Sequence, residues 1–276
     1  MWVLFRVHGA RLRLLFQLLT RRIRAGSPQR VSVARRAPRA TSPVPWGSGP
    51  ACLDGGVTAY DVARRLPAIP ELHALCRALG VLDVVLDPGS EDRYHLYDSA
   101  WAPGEQLASM RDGAGNEYSV VFTAAGAYVR GFDHESPMSP YATDDEKAWP
   151  GVLDSVPDVF RQCVEEPAFS DALGMPFVTV CLWRENGDTV WRHGDIAFPE
   201  EGDDGADWMF ALLTDGTPEA FQDWAQDYYE MPVDLAAVRH VLTGRPLTEA
   251  VVMALNPATT LTAVADEVAA TGHPVR

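Results

Sequence analysis

The hydrophobic and polar pattern becomes regular after Gly56, and its first part predicts two short helices. Thr58 opens the segment TAYDVARRL, and Asp61 follows at the spacing of a capping box. Pro70 opens a second segment, PELHALCRAL, in which apolar residues recur at helical intervals. Because glycine commonly ends a helix, we predict that this second helix stops at Gly80.

Strand patterns fill the middle of the chain. The run VLDVVLD at residues 81–87 is rich in β-branched residues and precedes the turn letters PGS, so it is predicted as a strand. RYHLYD, EQLASMRD, EYSVVFTA and AYVRGF follow with short turns between them, as in an antiparallel meander. FVTVCLWRE and TVWRHGDIAF, joined through the turn NGD, predict a hairpin.

The last third of the chain has the helical period. WPGVLDSVPDVF, before the hairpin, predicts a short helix or a pair of turns, and helices are predicted in ADWMFALL, PEAFQDWAQDYYE, DLAAVRHVL, LTEAVVMAL and LTAVADEVAA. Strands followed by helices are typical of the α+β class. We therefore predict an α+β fold with a curved antiparallel sheet, built of a meander and a hairpin, between short N-terminal helices and a C-terminal helical third.

Composition divides the chain near residue 56. Residues 1–50 contain ten arginines and no acidic residue, and the stretch is rich in proline and serine towards its end. We predict a basic, disordered tail or extension at residues 1–56 and a single acidic domain at residues 57–276. The first residues also fit a targeting peptide or a basic amphipathic surface helix, although no apolar run reaches the roughly 18 residues that span a bilayer.

Charge narrows the class of partner. The chain has 23 basic and 38 acidic residues, and with ten arginines before residue 51 the remainder holds 13 basic residues, a net charge of −25. Such a surface repels nucleic acid and anionic membranes and attracts basic proteins. We predict a protein partner with a basic surface, no nucleic acid and no membrane partner for the main domain.

Cysteine spacing indicates the compartment. Cys52, Cys76, Cys163 and Cys181 form no C-x-x-C pair and no zinc-finger pattern. They are predicted to be reduced and mostly buried, which favours the cytoplasm.

The segment GFDHESPMSPY at residues 131–141 is the strongest candidate for chemistry. Asp133, His134 and Glu135 are adjacent, and two Ser-Pro steps follow them. The alternative interpretation is an extended polar turn that leaves the sheet, since proline restricts the residue before it and Asp bonds nearby amides.

A metal-dependent hydrolase would need further donors. His193 and Asp195, or alternatively His95 and Asp98, could supply them beside Asp133, His134 and Glu135, and His134, His193 and Asp195 are the candidate metal ligands. This hypothesis requires the rings of His134 and His193 to approach within roughly 5 Å, with a carboxylate between them.

Other catalytic patterns are weak. Ser136 near His134 lacks the G-x-S-x-G elbow of a nucleophilic hydrolase, EEGDDGADW departs from the order of an EF-hand, and GAGNE matches no nucleotide-binding loop. We therefore predict no cofactor and lean towards a protein that is not an enzyme.

The helix PEAFQDWAQDYYE is amphipathic. Its acidic side offers Asp223, Asp227, Tyr229 and Glu230 as candidate partner-binding residues, with a merely solvated face as the alternative. The main hypothesis is a non-enzymatic acidic domain that binds another protein.

Several segments, GFDHESPMSPY, WPGVLDSVP, EEPAF, CLWRE, DYYE and LNP, resemble a group of uncharacterised bacterial proteins. The resemblance covers most of the chain after residue 60, leaves the arginine-rich start outside, and implies no activity and no catalytic residue. In size and acidity the chain is also similar to small α+β immunity proteins that neutralise toxins, a similarity of class and not of motif. It implies an immunity-like or antitoxin-like role.

Overall fold

The computed structural model describes residues 57–142, 147–200 and 203–276; the predicted tail, residues 1–56, lies outside them. Helix α1 (Ala59–Arg65) begins with the predicted capping box. The Thr58 hydroxyl accepts the Tyr60 amide at 3.3 Å, and the Thr58 amide donates to Asp61 at 3.2 Å. These bonds satisfy donors that a helix start would otherwise leave unpaired.

Helix α2 (Ile69–Leu86) corrects two predictions, because it does not end at Gly80 and the strand expected at residues 81–87 falls within its second half and C-cap. That half is buried, so tertiary packing outweighs the strand preference of its β-branched residues. Gly80 does not end the helix but allows α2 to pack closely against Tyr97, because a Cβ at Gly80 would stand 2.7 Å from the Cβ of Tyr97. The helix ends before Pro88, which cannot continue it.

Six strands in the described residues form one antiparallel sheet in sequence order, so the predicted meander and hairpin are confirmed. The strands are β1 (His95–Ala102), β2 (Glu105–Arg111), β3 (Glu117–Thr123), β4 (Gly126–Phe132), β5 (Val180–Glu185) and β6 (Arg192–His193).

Strand β6 is much shorter than the predicted TVWRHGDIAF. It pairs with β5 through His193 and Arg192 and then leaves the sheet. The amide of Ile196 donates to the Tyr60 hydroxyl at 2.8 Å, so this backbone bonds α1 and not a neighbouring strand. Gly194 also passes so close to Gly151 that a side chain could not fit.

One face of the sheet packs against helices. Tyr97, Ala108, Val120, Val129 and Leu182 lie in one cross-strand row, and α2 covers the β1 end of that face. Burial of this row supplies the main core, since apolar area removed from water stabilises the fold.

The opposite face is covered by residues between β4 and β5. This connection holds α3 (Arg161–Val164) and short 3-10 helices, of which Asp158–Phe160 lies in the predicted helix or turn pair. The Arg130 guanidinium stands 4.2 Å from the ring centroid of Phe169, and Arg130 is also paired with Glu117. Strand β4 is therefore buried on both faces.

The chain after the sheet is helical, as predicted. Four of its helices start at a capping hydroxyl or carboxylate, from Thr217, Asp234, Thr248 and Thr260. The helices are α4 (Ala206–Met209), α5 (Ala211–Asp215), α6 (Pro218–Tyr229), α7 (Leu235–Leu242), α8 (Glu249–Leu255) and α9 (Leu261–Thr271).

The predicted α+β class is confirmed. Cys76, Cys163 and Cys181 are buried thiols, and Cys52 lies outside the described residues. Burial raises the pKa of the Cys181 thiol to about 12. Among the described helices, none combines the length and apolar character that a bilayer span requires.

Candidate functional site

Asp133, the first residue of the predicted D-H-E loop, is a buried structural carboxylate. Its Oδ1 accepts the Glu135 amide at 2.9 Å, and its Oδ2 accepts the Trp208 ring N–H at 3.0 Å. Gly205 packs directly on this side chain, where a Cβ would come within 2.5 Å. Asp133 therefore joins the end of β4 to the start of α4.

His134 and Glu135 are exposed beside it. The amide of His134 lies 2.9 Å from Asn116 Oδ1, and its ring Nδ1 lies 2.7 Å from the same oxygen. Since an amide oxygen only accepts, Nδ1 carries the proton in this contact. His134 is thereby tied to the turn before β3.

His193 and Asp195 lie in a different place. The His193 ring stacks on Tyr60 with centroids 3.9 Å apart, and its Nδ1 donates to the Gly194 carbonyl at 2.9 Å. Asp195 is exposed just beyond β6. These contacts fit a strand end held by α1.

The sheet register separates the two histidines. His193 pairs with Leu182, which lies opposite Val129, whereas His134 follows Phe132 at the end of β4. With about 3.3 Å per residue and about 4.8 Å between strands, the Cα atoms of Phe132 and His193 are about 14 Å apart. Among the described residues, no three His, Cys, Asp or Glu side chains are grouped as metal ligands. The predicted set of Asp133, His134, Glu135, His193 and Asp195 is not brought together.

The neighbouring polar residues also serve the backbone. The Ser136 hydroxyl donates to the Asp203 carbonyl at 2.5 Å, and Asp203 accepts the Gly205 amide at 2.8 Å. Asp204 is fully buried and accepts the amides of Ala59 and Ala206 at 2.8 and 3.0 Å. Asp203 and Asp204 therefore serve helix starts and do not face a common point.

The sequence-predicted partner residues are divided between surface and interior. Asp223, Asp227 and Glu230 are exposed on α6 and at its end, and none of them forms an ion pair with a described residue. Tyr229 is different, because its hydroxyl is buried. The three carboxylates form what we call the acidic face.

Three aromatic side chains meet beside this acidic face. Tyr94 precedes β1, while Trp224 and Tyr228 lie one turn apart on α6. The ring centroids of Tyr94 lie 4.8 Å from Trp224 and 5.1 Å from Tyr228, and Trp224 stacks on Tyr228 at 5.1 Å and 17°. All three are partly exposed. We call Tyr94, Trp224 and Tyr228 the ring cluster.

A buried carboxylate and imidazole lie against the ring cluster. Asp83 of α2 accepts the amide of His95 at 2.7 Å and lies 3.1 Å from its Nδ1. The His95 ring in turn packs 4.8 Å from Tyr94 and 4.9 Å from Trp224. An Nδ1 proton directed to Asp83 leaves Nε2 as the acceptor of the neutral ring.

Two buried oxygens lie near this pair, Asp83 Oδ1 and the Tyr229 hydroxyl. Burial raises the pKa of Tyr229, and the charge of the Asp83 carboxylate and its contact with the hydroxyl raise that pKa further. The Tyr229 hydroxyl therefore faces Asp83, and no arginine or lysine of the described residues forms an ion pair with that buried carboxylate.

The charged groups that act on Tyr228 are acidic. Burial raises the pKa of Tyr228, and Asp83, Asp87 and Asp112 add to the increase. Arg93 is the adjacent basic residue, but its guanidinium is paired with Glu267. No arginine or lysine of the described chain stands over the ring cluster.

Sequence reasoning missed this site. The recurrence of Phe221, Trp224, Ala225 and Tyr228 predicted a packing face for α6, and Phe221 and Ala225 are indeed buried. The one-turn spacing of Trp224 and Tyr228 was the available signal. Their contact with Tyr94 joins distant parts of the chain, so local periodicity could not reveal it.

Comparison with models of protein families, with curated proteins and with solved structures found no match to this chain. The resemblance to uncharacterised bacterial proteins therefore stays a prediction, and the site is interpreted from its own chemistry.

Proposed function

We propose that this protein is a non-enzymatic acidic domain that binds another protein through the acidic face. The observation that carries the proposal is the exposure of Asp223, Asp227 and Glu230, unpaired within the described residues, beside a partly exposed ring cluster. Protein interfaces are enriched in aromatic residues, and complementary charge accelerates encounter.

The distribution of basic residues supports a basic partner. Most arginines of the described chain pair with carboxylates of the same chain and add little positive potential to the surface. These are Arg64, Arg93, Arg111, Arg130, Arg161, Arg192 and Arg239. The acidic excess remains on the outside, where it attracts a partner of opposite charge.

An immunity-like or antitoxin-like role in the bacterial cytoplasm is the finer form of this proposal. Such a factor masks a basic toxin surface by complementary charge and needs no catalytic group of its own. The separation of the D-H-E loop from His193 and Asp195 supports a binding role over the metal-dependent hydrolase.

The test is capture by the full chain from a bacterial lysate at low salt, followed by identification of the bound proteins. The variant Asp223→Asn/Asp227→Asn/Glu230→Gln removes the acidic face without changing side-chain size. We expect it to lose specific proteins that the wild type retains, and we expect raised salt to release them.

A matched control removes the same charge elsewhere. Glu135→Gln/Glu185→Gln/Asp195→Asn neutralises three exposed carboxylates away from α6 and should retain the same proteins as the wild type. Equal capture by wild type and acidic-face variant, or no capture at low salt, would contradict the proposal.

A further inference from the structure

The ring cluster has the geometry of a cation site. A cation binds an aromatic face within about 6 Å of the ring centroid, most strongly on tryptophan. Trp224 and Tyr228 are stacked with 17° between their planes, and Tyr94 stands against both. All three residues are partly exposed, so part of the ring cluster is open to solvent.

A second and independent observation is the buried carboxylate behind these rings. Asp83 is fully buried beside the His95 ring and the Tyr229 hydroxyl, and no arginine or lysine of the described residues forms an ion pair with it. A buried carboxylate is unfavourable unless a positive charge is near. His95, which bonds Asp83, also packs on Tyr94 and Trp224, so the carboxylate and the rings belong to one site.

The chemistry of the site distinguishes among cations. Aromatic rings offer no oxygen or nitrogen ligands to a metal ion, which needs several donors around one point. A lysine ammonium is compact and strongly hydrated, whereas an arginine guanidinium is planar, weakly hydrated and stacks on aromatic faces.

We infer that the ring cluster binds the guanidinium group of an arginine on the basic partner. The inference rests on the proposed function, because the arginine belongs to the basic protein partner proposed there. It adds the chemical group that the ring cluster recognises on that partner. The acidic face attracts the partner, and the ring cluster beside it receives one side chain, as buried aromatic and arginine anchors do at interfaces.

The experiment titrates the full chain, labelled with 5-fluorotryptophan, with N-acetylarginine amide at constant ionic strength. Fluorine NMR resolves the tryptophans, and Trp224→Phe assigns the resonance of Trp224. We expect that resonance to shift with the arginine probe and not with the neutral isostere N-acetylcitrulline amide. N-acetyllysine amide should bind more weakly than arginine.

Three variants test whether arginine binding requires the aromatic ring of Tyr228. Tyr228→Leu should weaken arginine binding about tenfold, the size expected when a desolvated cation loses one aromatic face. Tyr228→Phe keeps the ring and should bind within about twofold of the wild type. Tyr141→Leu removes an exposed ring that contacts Phe132 and Phe177 instead, and this variant should bind arginine as the wild type does.

Three results would overturn the inference: no shift of Trp224 with arginine, an equal shift with citrulline or lysine, or unchanged affinity in Tyr228→Leu. These results are distinguishable from failure of the proposed function. If capture from the lysate depends on the acidic face but arginine binding does not depend on the ring of Tyr228, the proposed function stands and the arginine site is rejected.

Discussion

Gly80→Ala is expected to destabilise the protein although alanine is the better helix former. In an open helix the change would stabilise by about 1 kcal/mol. Here the new Cβ would stand 2.7 Å from the Cβ of Tyr97 and 3.1 Å from its amide nitrogen, so β1 must move. Overpacking of this kind costs about 1–3 kcal/mol, and after subtraction of the helix gain the middle of that range leaves a net loss of about 1 kcal/mol.

Equilibrium unfolding in urea, followed by circular dichroism and tryptophan fluorescence, measures this loss as a lower midpoint at unchanged slope. Gly187→Ala is the control, because nothing lies within 4 Å of a Cβ there, and it should change the free energy of unfolding by less than about 0.5 kcal/mol. A gain of about 1 kcal/mol for Gly80→Ala would refute the close-packing argument.

Three further changes test the polar contacts. Burial raises the pKa of Asp204 from 3.8 to about 6. The folded chain holds that proton more tightly than the unfolded chain does. The resulting stabilisation is full below about pH 4 and is lost as pH rises through about 6. Asp204→Asn should remove this pH dependence, which amounts to up to about 3 kcal/mol in the free energy of urea unfolding across that window. Burial raises the pKa of Glu117, but Arg130 and then Arg111 lower it overall. The stabilisation that the charged Glu117 provides is therefore lost as pH falls below about 4. Glu117→Gln should make the free energy of unfolding less dependent on pH in that acidic range. For either variant, an unchanged dependence of the free energy of unfolding on pH would contradict the role given to the carboxylate. Asn116→Ala removes the side-chain oxygen that accepts the His134 amide. The hydrogen-exchange rate of that amide, measured by NMR, should rise about fivefold, and an unchanged rate would contradict the hydrogen bond.

Local signals in the sequence located much of the fold. The Thr58 capping box, the hydroxyl and carboxylate caps of the later helices and the NGD turn each depend on residues a few positions apart. Such contacts can be inferred from spacing. The antiparallel order followed because each strand pairs with the next one along the chain.

Distant contacts decided what the sequence could not show. Residues 81–87 favour a strand locally, yet residues 81–86 are helical because they are buried in the second half of α2. The Asp133-His134-Glu135 segment was the most conspicuous polar group in the sequence. In the fold, however, Asp133 accepts a hydrogen bond from Trp208, and His134 is hydrogen-bonded to Asn116. The ring cluster escaped prediction for the same reason, since Tyr94 meets α6 only in the folded chain.

The Asp204 carboxylate has a consequence for the order of folding. It bonds the amide of Ala59 across 145 residues, whereas the meander closes through short loops. Long-range contacts form late because the chain entropy lost in closing a large loop must be offset first. We therefore expect α1 to dock after the sheet is complete. Tyr60, which bonds the backbone beyond β6, would then be secured in the same late step.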